Sequence, residues 1–334
     1  MAAEMAGQPE RLADLVGRWE DHAARVRALA PSPLAGSVIV ARGSSDHAGA
    51  YGRYLVELVS RRPVALAAPS LHTLYGARTD HTGWLAVAVS QSGRTPEIVT
   101  TLERMQAGGA AGLAITNDGA SPLAHAAGET IDLGVGPERA VPATKTVTSE
   151  LALFALIAEA LGTVPWSRDD LARLPQAVER TLQDRGPIGA AAERLAAARG
   201  IFALARGLLY AAAQETALKL KETALVLAEG YSAADFRHGP IAVAGPGTAA
   251  LCLVARGPAE ADMVELASEL ERRGADVVRV GEDPAADLTL PRGLPEALVA
   301  VPAVVRGQQL GYALALRLGL DPDAPRGLSK VTAT

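Results

Sequence analysis

Leu85-Ala-Val-Ala-Val89 runs without a break into Ser90-Gln-Ser-Gly-Arg-Thr95, and Pro96-Glu-Ile98 follows. Five consecutive apolar residues spell a strand buried on both faces, as the strands of a parallel sheet are. Proline is favoured in the first turn of a helix, so Pro96 opens one. A buried strand, a short loop of hydroxyls and glycine, and a helix together make one step of an α/β sheet with crossover helices.

The same step recurs outward from this stretch. In the first half, further strands are predicted over 37–41, 63–67, 111–116 and 130–135, with helices over 49–59, 96–107, 121–127 and 145–161. The second half opens with an echo of the first: Val38-Ile-Val-Ala-Arg-Gly43 is answered by Phe202-Ala-Leu-Ala-Arg-Gly207. Strands over 250–256, 276–280 and 288–290 and helices over 260–273 and 294–318 complete it. The fold class is α/β, with two tandem doubly wound parallel-sheet units of flavodoxin-like kind. The expected division is an N-terminal helical segment (1–34), a first unit (35–165), a charged helical connector (166–199), a second unit (200–320) and a C-terminal tail (321–334).

Composition narrows the function. A chain of 334 residues, 49% hydrophobic, has ample material for buried cores, and its formal charge of −5 comes without a dense basic stretch. Nucleic acid is therefore not the expected partner, since backbone binding needs clustered cations. The single cysteine, Cys252, lies in an apolar run and rules out an intrachain disulfide. Neither an apolar signal core near the start nor an apolar run of about 18 residues is found, so no membrane association and a cytoplasmic location are expected. Of 32 basic residues only four are lysines, Lys145, Lys219, Lys221 and Lys330. A buried ammonium can lose its proton where a guanidinium cannot, which singles these four out for scrutiny.

Two sets of residues carry chemistry. Ser90, Gln91, Ser92 and Thr95 crowd a helix N-terminus, where backbone N–H groups and the helix dipole favour an anion and Gly93 permits close approach. Arg42-Gly-Ser-Ser45 repeats the design after the first strand, and two such loops at adjacent strand ends would converge on one phosphate. The second set is helical. Glu215, Lys219 and Glu222 stand at i, i+4 and i+7, on one face, while Lys221 points away. Leu218, Leu220, Ala224, Leu225 and Leu227 supply apolar surface to bury this helix. The stretch Ala228-Glu-Gly-Tyr-Ser-Ala-Ala-Asp-Phe-Arg-His-Gly-Pro240 then reads as a structured loop that presents His238. A carboxylate, an amine and an imidazole beside a phosphate cradle form a proton-transfer set.

These motifs, together with Glu4-Met-x-x-Gln-Pro9, Ala143-Thr-Lys145, Ala228-Glu-Gly-Tyr231, His238-Gly-Pro240 and Pro325-Arg-x-Leu-x-Lys330, resemble the sugar isomerase (SIS) domain family. Within it they are most similar to the isomerase half of glucosamine-6-phosphate synthases and to SIS-type glucosamine-6-phosphate deaminases. The resemblance implies that Ser45, Ser90, Gln91, Ser92 and Thr95 hold a sugar phosphate, with Thr144 and Lys145 beside them. It implies that Glu222 moves the proton between C1 and C2 and that Lys219 assists at the substrate oxygens. It further implies that His238 opens the sugar ring from a partner subunit, in at least a homodimer, and that Lys330 closes over the substrate on the tail. Neither metal nor other cofactor is implied. Two positions depart from the synthase pattern: Ala143 replaces a serine that touches substrate, and Arg94 replaces an acidic residue. Only about 35 residues precede the first strand, so a glutaminase half is not expected.

The activity this implies is that of an amino-sugar phosphate isomerase/deaminase, converting glucosamine 6-phosphate and water to fructose 6-phosphate and ammonia. A fructosamine-phosphate deglycase, ammonia-dependent glucosamine-6-phosphate synthesis and a non-enzymatic sugar-phosphate sensor are the alternatives.

Overall fold

The computed structural model describes residues 1–330. It contains two five-stranded sheets, both wholly parallel. The first comprises β1 (Gly36–Val40), β2 (Val64–Leu66), β3 (Trp84–Val89), β4 (Ala111–Thr116) and β5 (Glu129–Asp132), in the order β2-β1-β3-β4-β5. The second comprises β6 (Gly200–Ala205), β7 (Ala228–Ser232), β8 (Thr248–Val254), β9 (Asp276–Gly281) and β10 (Leu288–Thr289), in the order β7-β6-β8-β9-β10. Counted from its own first strand, each sheet therefore has the order 2-1-3-4-5. This is the doubly wound order in which the chain reverses direction between strands 1 and 3, opening a crevice at their carboxyl ends.

The helices are α1 (Ala2–Ala6), α2 (Gln8–Gly17), α3 (Trp19–Leu29), α4 (Ser44–Ser60), α5 (Pro69–Thr73), α6 (Pro96–Ala107), α7 (Pro122–Ala126) and α8 (Lys145–Leu161). They continue with α9 (Arg168–Gln183), α10 (Gly186–Ala196), α11 (Tyr210–Ala224), α12 (Ala233–Arg237), α13 (Glu260–Arg272) and α14 (Glu296–Arg317). Among the described residues no helix is long and apolar enough to cross a membrane.

The compact units do not follow the chain as two blocks. The first sheet is packed with residues Arg11–Glu138 and Ser149–Ser167, and the second with Met1–Glu10, Arg139–Thr148 and Arg168–Lys330. In the first unit, Val38, Val40, Ala86, Ala88 and Ala114 of the sheet bury against Ile98, Leu102 and Met105 of α6. In the second, Leu204, Ala250, Cys252 and Val277 pack on Met263, Leu266 and Leu270 of α13. Burial of this kind stabilises by about 25 cal/mol per Å² of apolar surface removed from water. Cys252 is buried, and burial pushes its thiol up to about 12.

Among the differences from the sequence reading, three bear on the loops and helix that carry the candidate residues. Ala228–Ser232 is the strand β7 rather than loop, and its five residues pair with β6 alone, at the edge of the sheet. An edge strand needs no continuous apolar run, so Ala-Glu-Gly-Tyr-Ser carried no strand pattern. Helix α4 begins at Ser44, five residues before the expected start, because Gly43 at φ +59° makes the turn and the polar Ser44-Ser-Asp46 form its first turn. Helix α11 stops at Ala224, where Leu225 adopts φ +55° as its left-handed cap. Leu225 and Leu227 therefore leave the helix and are exposed, so they do not help bury it.

Candidate active site

In the first unit, the crevice between β1 and β3 receives the two hydroxyl loops. After β1, the Ser45 hydroxyl donates to Glu150 Oε1 of α8 at 2.9 Å. Arg42 reaches from the same loop to Glu97 in the first turn of α6, with Nη2 and Nε at 2.7 and 3.1 Å from Oε2. After β3, Gly93 sits at φ +60°, and a methyl group there would lie 2.0 Å from Ser121 Oγ and 2.8 Å from Thr116 Oγ1. Only glycine lets the loop pass so close to the β4–α7 segment.

The loop is internally braced. The Gly93 N–H donates to both the Ser90 carbonyl (3.0 Å) and the Ser90 hydroxyl oxygen (3.2 Å), and the Arg94 N–H donates to the Ser92 hydroxyl oxygen at 3.2 Å. In these bonds both hydroxyls act as acceptors, which keeps their O–H groups as donors for an anion. Thr95 occupies the N-cap of α6 without making a side-chain capping bond. Arg94 pairs with Asp118 at 2.8 Å on the exposed rim. The Ala120 amide first, and then that pairing, hold the Asp118 carboxyl below its usual range.

In the second unit, Lys219 is completely buried on α11. Its Nζ lies 3.2 Å from Glu215 Oε1 and 2.5 Å from Glu222 Oε2. Glu215 is sealed at 1% side-chain exposure, whereas Glu222 keeps 19% and is the accessible carboxylate of the trio. Burial pulls the Lys219 ammonium toward losing its proton, but the two carboxylates outweigh it and the net shift is upward. Lys219 is therefore a fixed cation. Lys221 is exposed, as its position opposite that face requires.

What buries α11 is the close approach of its neighbours. Methyl groups at Gly307 and Gly311 of α14 would fall 2.3 Å from Thr216 Oγ1 and 3.0 Å from Thr223 Oγ1, and the Thr223 hydroxyl donates to the Gly311 carbonyl at 2.8 Å. Gly230 in β7 plays the same part on the other side, since a methyl there would lie 2.6 Å from Gln214 Cα. Small residues at the contacts let backbones come together and exclude water from Lys219.

His238 caps α12, its N–H donating to the Asp235 carbonyl at 3.1 Å, and its side chain is exposed. Thr144 and Lys145, both buried, stand at the start of α8. Lys330 is half-buried, and the remaining four residues of the 321–334 tail lie outside the described residues. Of the predicted site residues, Ser45, Ser90, Gln91, Ser92 and Thr95 belong to the first unit, and Thr144, Lys145, Lys219, Glu222, His238 and Lys330 to the second. Sequence reasoning missed Glu150, which directly precedes the apolar run Leu151–Ala158 of α8 and binds Ser45. A buried carboxylate next to that run was the available signal.

The SIS domain model matches residues 37–160 and 194–286. The chain belongs to the SIS domain family. It is 33% identical over 305 residues to the glutamine–fructose-6-phosphate aminotransferase (isomerizing) of Pyrococcus horikoshii, covering 88% of this chain and 51% of that protein. It thus spans about half the length of the curated relatives it matches, and the matching half is their isomerase domain. A solved structure from Silicibacter pomeroyi DSS-3, assigned provisionally as a phosphosugar isomerase, is 33% identical with a TM-score of 0.87, covering 97% of this chain and 99% of that one. The glucosamine-6-phosphate deaminase of Thermotoga maritima shares the fold, with a TM-score of 0.78 at 21% identity over 98% of this chain and its own full length.

Proposed function

We propose that the protein is an amino-sugar phosphate isomerase/deaminase acting on glucosamine 6-phosphate. The observation that carries this reading is the α11 trio: a permanently charged Lys219, neutralised from beneath by the sealed Glu215, holding the partly accessible Glu222 carboxylate. A carboxylate so placed can move a proton between adjacent carbons, and a fixed cation stabilises the oxygen on which charge develops. Membership of the SIS family supports the same class of chemistry.

In this reading the hydroxyls of Ser90, Ser92 and Thr95 and the Gln91 amide hold the phosphate, Ser45 joins them when its O–H turns from Glu150, and Thr144 and Lys145 line the sugar. His238 opens the ring to the C1 aldehyde. Glu222 removes the C2 proton, Lys219 stabilises the resulting enolate oxygen, and Glu222 returns the proton to C1. The product is an iminium at C2. Water adds there and ammonia leaves, giving fructose 6-phosphate. Lys330 contacts the open-chain sugar. Cys252 is buried with its thiol pKa pushed up, so it takes no part as a thiolate.

Exposed Leu225, Leu227 and Val243 flank the β7–α12 segment that bears His238, and a second copy of the chain covering them would bring His238 to its neighbour. Ammonia release from a panel of phosphorylated amino sugars tests the activity: glucosamine 6-phosphate should be deaminated, and Glu222→Gln should lower kcat at least about a thousandfold. Unchanged turnover in that variant would overturn the role of Glu222. Mixing inactive His238→Ala with inactive Glu222→Gln should restore part of the activity if His238 serves the neighbouring subunit.

A further inference from the structure

We infer that Gln8 and Gln308 are positioning residues, which fix the Thr144–Lys145 segment through a one-way chain of buried amides; the inference rests on the reading of that segment as sugar-binding. Gln8, the first residue of α2, and Gln308, on α14, are both completely buried. Gln8 Nε2 donates to the Met5 carbonyl (3.1 Å) and to Gln308 Oε1 (2.9 Å). Gln308 Nε2 in turn donates to the Thr144 carbonyl at 3.2 Å.

The direction of this chain is forced. Both of its ends are backbone carbonyls, which only accept, so each amide has a single orientation that pairs every link. Gln8 Oε1 is left buried with no hydrogen-bond partner, a cost that the chain bears because flipping Gln8 would set its oxygen against two other acceptors. The Thr144 carbonyl also receives the Thr148 N–H (3.3 Å) and hydroxyl (3.2 Å), which start α8. The end of the chain therefore sets where that helix begins.

Other groups secure the same segment. Glu4 Oε1 accepts the Arg139 and Ala140 N–H groups at 2.5 and 3.3 Å, and the Val141 N–H donates to the Asp323 carbonyl at 3.0 Å. A methyl group at Gly7 would touch Lys145 Cδ at 3.7 Å, so the lysine stem runs along the N-terminal backbone. Helix α14 is the common frame. Gly307 and Gly311 seat α11 with its Lys219–Glu222 pair, and Gln308, adjacent to Gly307, seats Thr144. The amide chain thereby sets the spacing between the proton-transferring carboxylate and the residues assigned to the sugar.

The near-isosteric Gln8→Met and Gln308→Met remove the donors and keep the volume. In hydrogen exchange followed by mass spectrometry, amides of residues 144–148 should exchange at least about tenfold faster in either variant, with those of the Ser90–Thr95 loop unchanged. KM for the sugar phosphate should rise about tenfold with kcat within about twofold, and the double variant should be no worse than the worse single one. Unchanged exchange, or faster exchange with an unchanged KM, would overturn the inference. Should Gln8→Met not fold, Gln8→Asn, which draws the amide out of reach, carries the same expectation. If the unmodified protein turns over no sugar phosphate, the proposed function fails, while the exchange measurement still decides whether the amide chain holds the segment.

Discussion

Lys219 and Glu215, one helical turn apart on α11, form an ion pair of 3.2 Å in which the side chains are 0% and 1% exposed. Removing one charge from such a pair strands the other in a medium that cannot solvate it, at a cost of about 3–5 kcal/mol. Lys219→Met should therefore lower the denaturation midpoint strongly. Adding Glu215→Leu should recover most of the loss, because it takes away the stranded carboxylate. Chemical denaturation of the two variants checks this, and activity should stay absent in both.

Gly93 combines a left-handed backbone with a methyl-sized clash against Ser121. Gly93→Ala must displace the loop, so phosphate affinity should fall at least about tenfold while the sheet remains folded. Calorimetric titration with a sugar phosphate measures the affinity, and far-ultraviolet circular dichroism confirms the fold.

His22 on α3 is buried with both ring nitrogens unpartnered. Burial first, then Arg18 and Arg25, pull its pKa below 6.5. The unfolded chain thus binds a proton that the folded chain resists. Stability is unaffected well above pH 6.5 and is lost progressively as the pH falls from there toward the depressed folded value. His22→Phe should flatten the acid side of the stability–pH curve, measured by thermal melts between about pH 4 and 8.

Gly307 and Gly311 set the α11–α14 contact. Gly307→Val should force the helices apart and hydrate Lys219, lowering the melting temperature by about 5 °C or more and reducing kcat. Gly319→Ala, at a position with nothing within 4 Å of the added methyl, is the control; its strain comes from φ +69° alone, so it should cost stability without changing kcat.

Much of the fold was legible because buried parallel strands write themselves as apolar runs. Leu85–Val89 and Ala111–Thr116 lie in sheet positions flanked by strands on both sides, and their patterns were unambiguous. Edge strand β7 was not, since one open side relieves it of the apolar requirement. The candidate site was legible where chemistry needs a fixed local spacing. The loop over Ser90–Thr95 follows from its place between a buried strand and Pro96, and the Glu215, Lys219, Glu222 face from the period of a helix. Glu150 and Gln308 were not legible as partners, because they meet Ser45 and Thr144 from about a hundred residues or more away.

The sequence by itself determined two doubly wound sheets, a hydroxyl cradle at a helix N-terminus and a helix face with one amine between two carboxylates. Each is set by local periodicity and by residue type. Only the tertiary structure decided that Lys219 stays charged rather than neutral, since that balance depends on how completely α14 and β7 exclude water and how near the two carboxylates come. It also decided that residues 1–10 pack with the second sheet and hold the Thr144 segment through Gln8. No local pattern encodes that contact, because its partners are brought together only when the whole unit closes around α14.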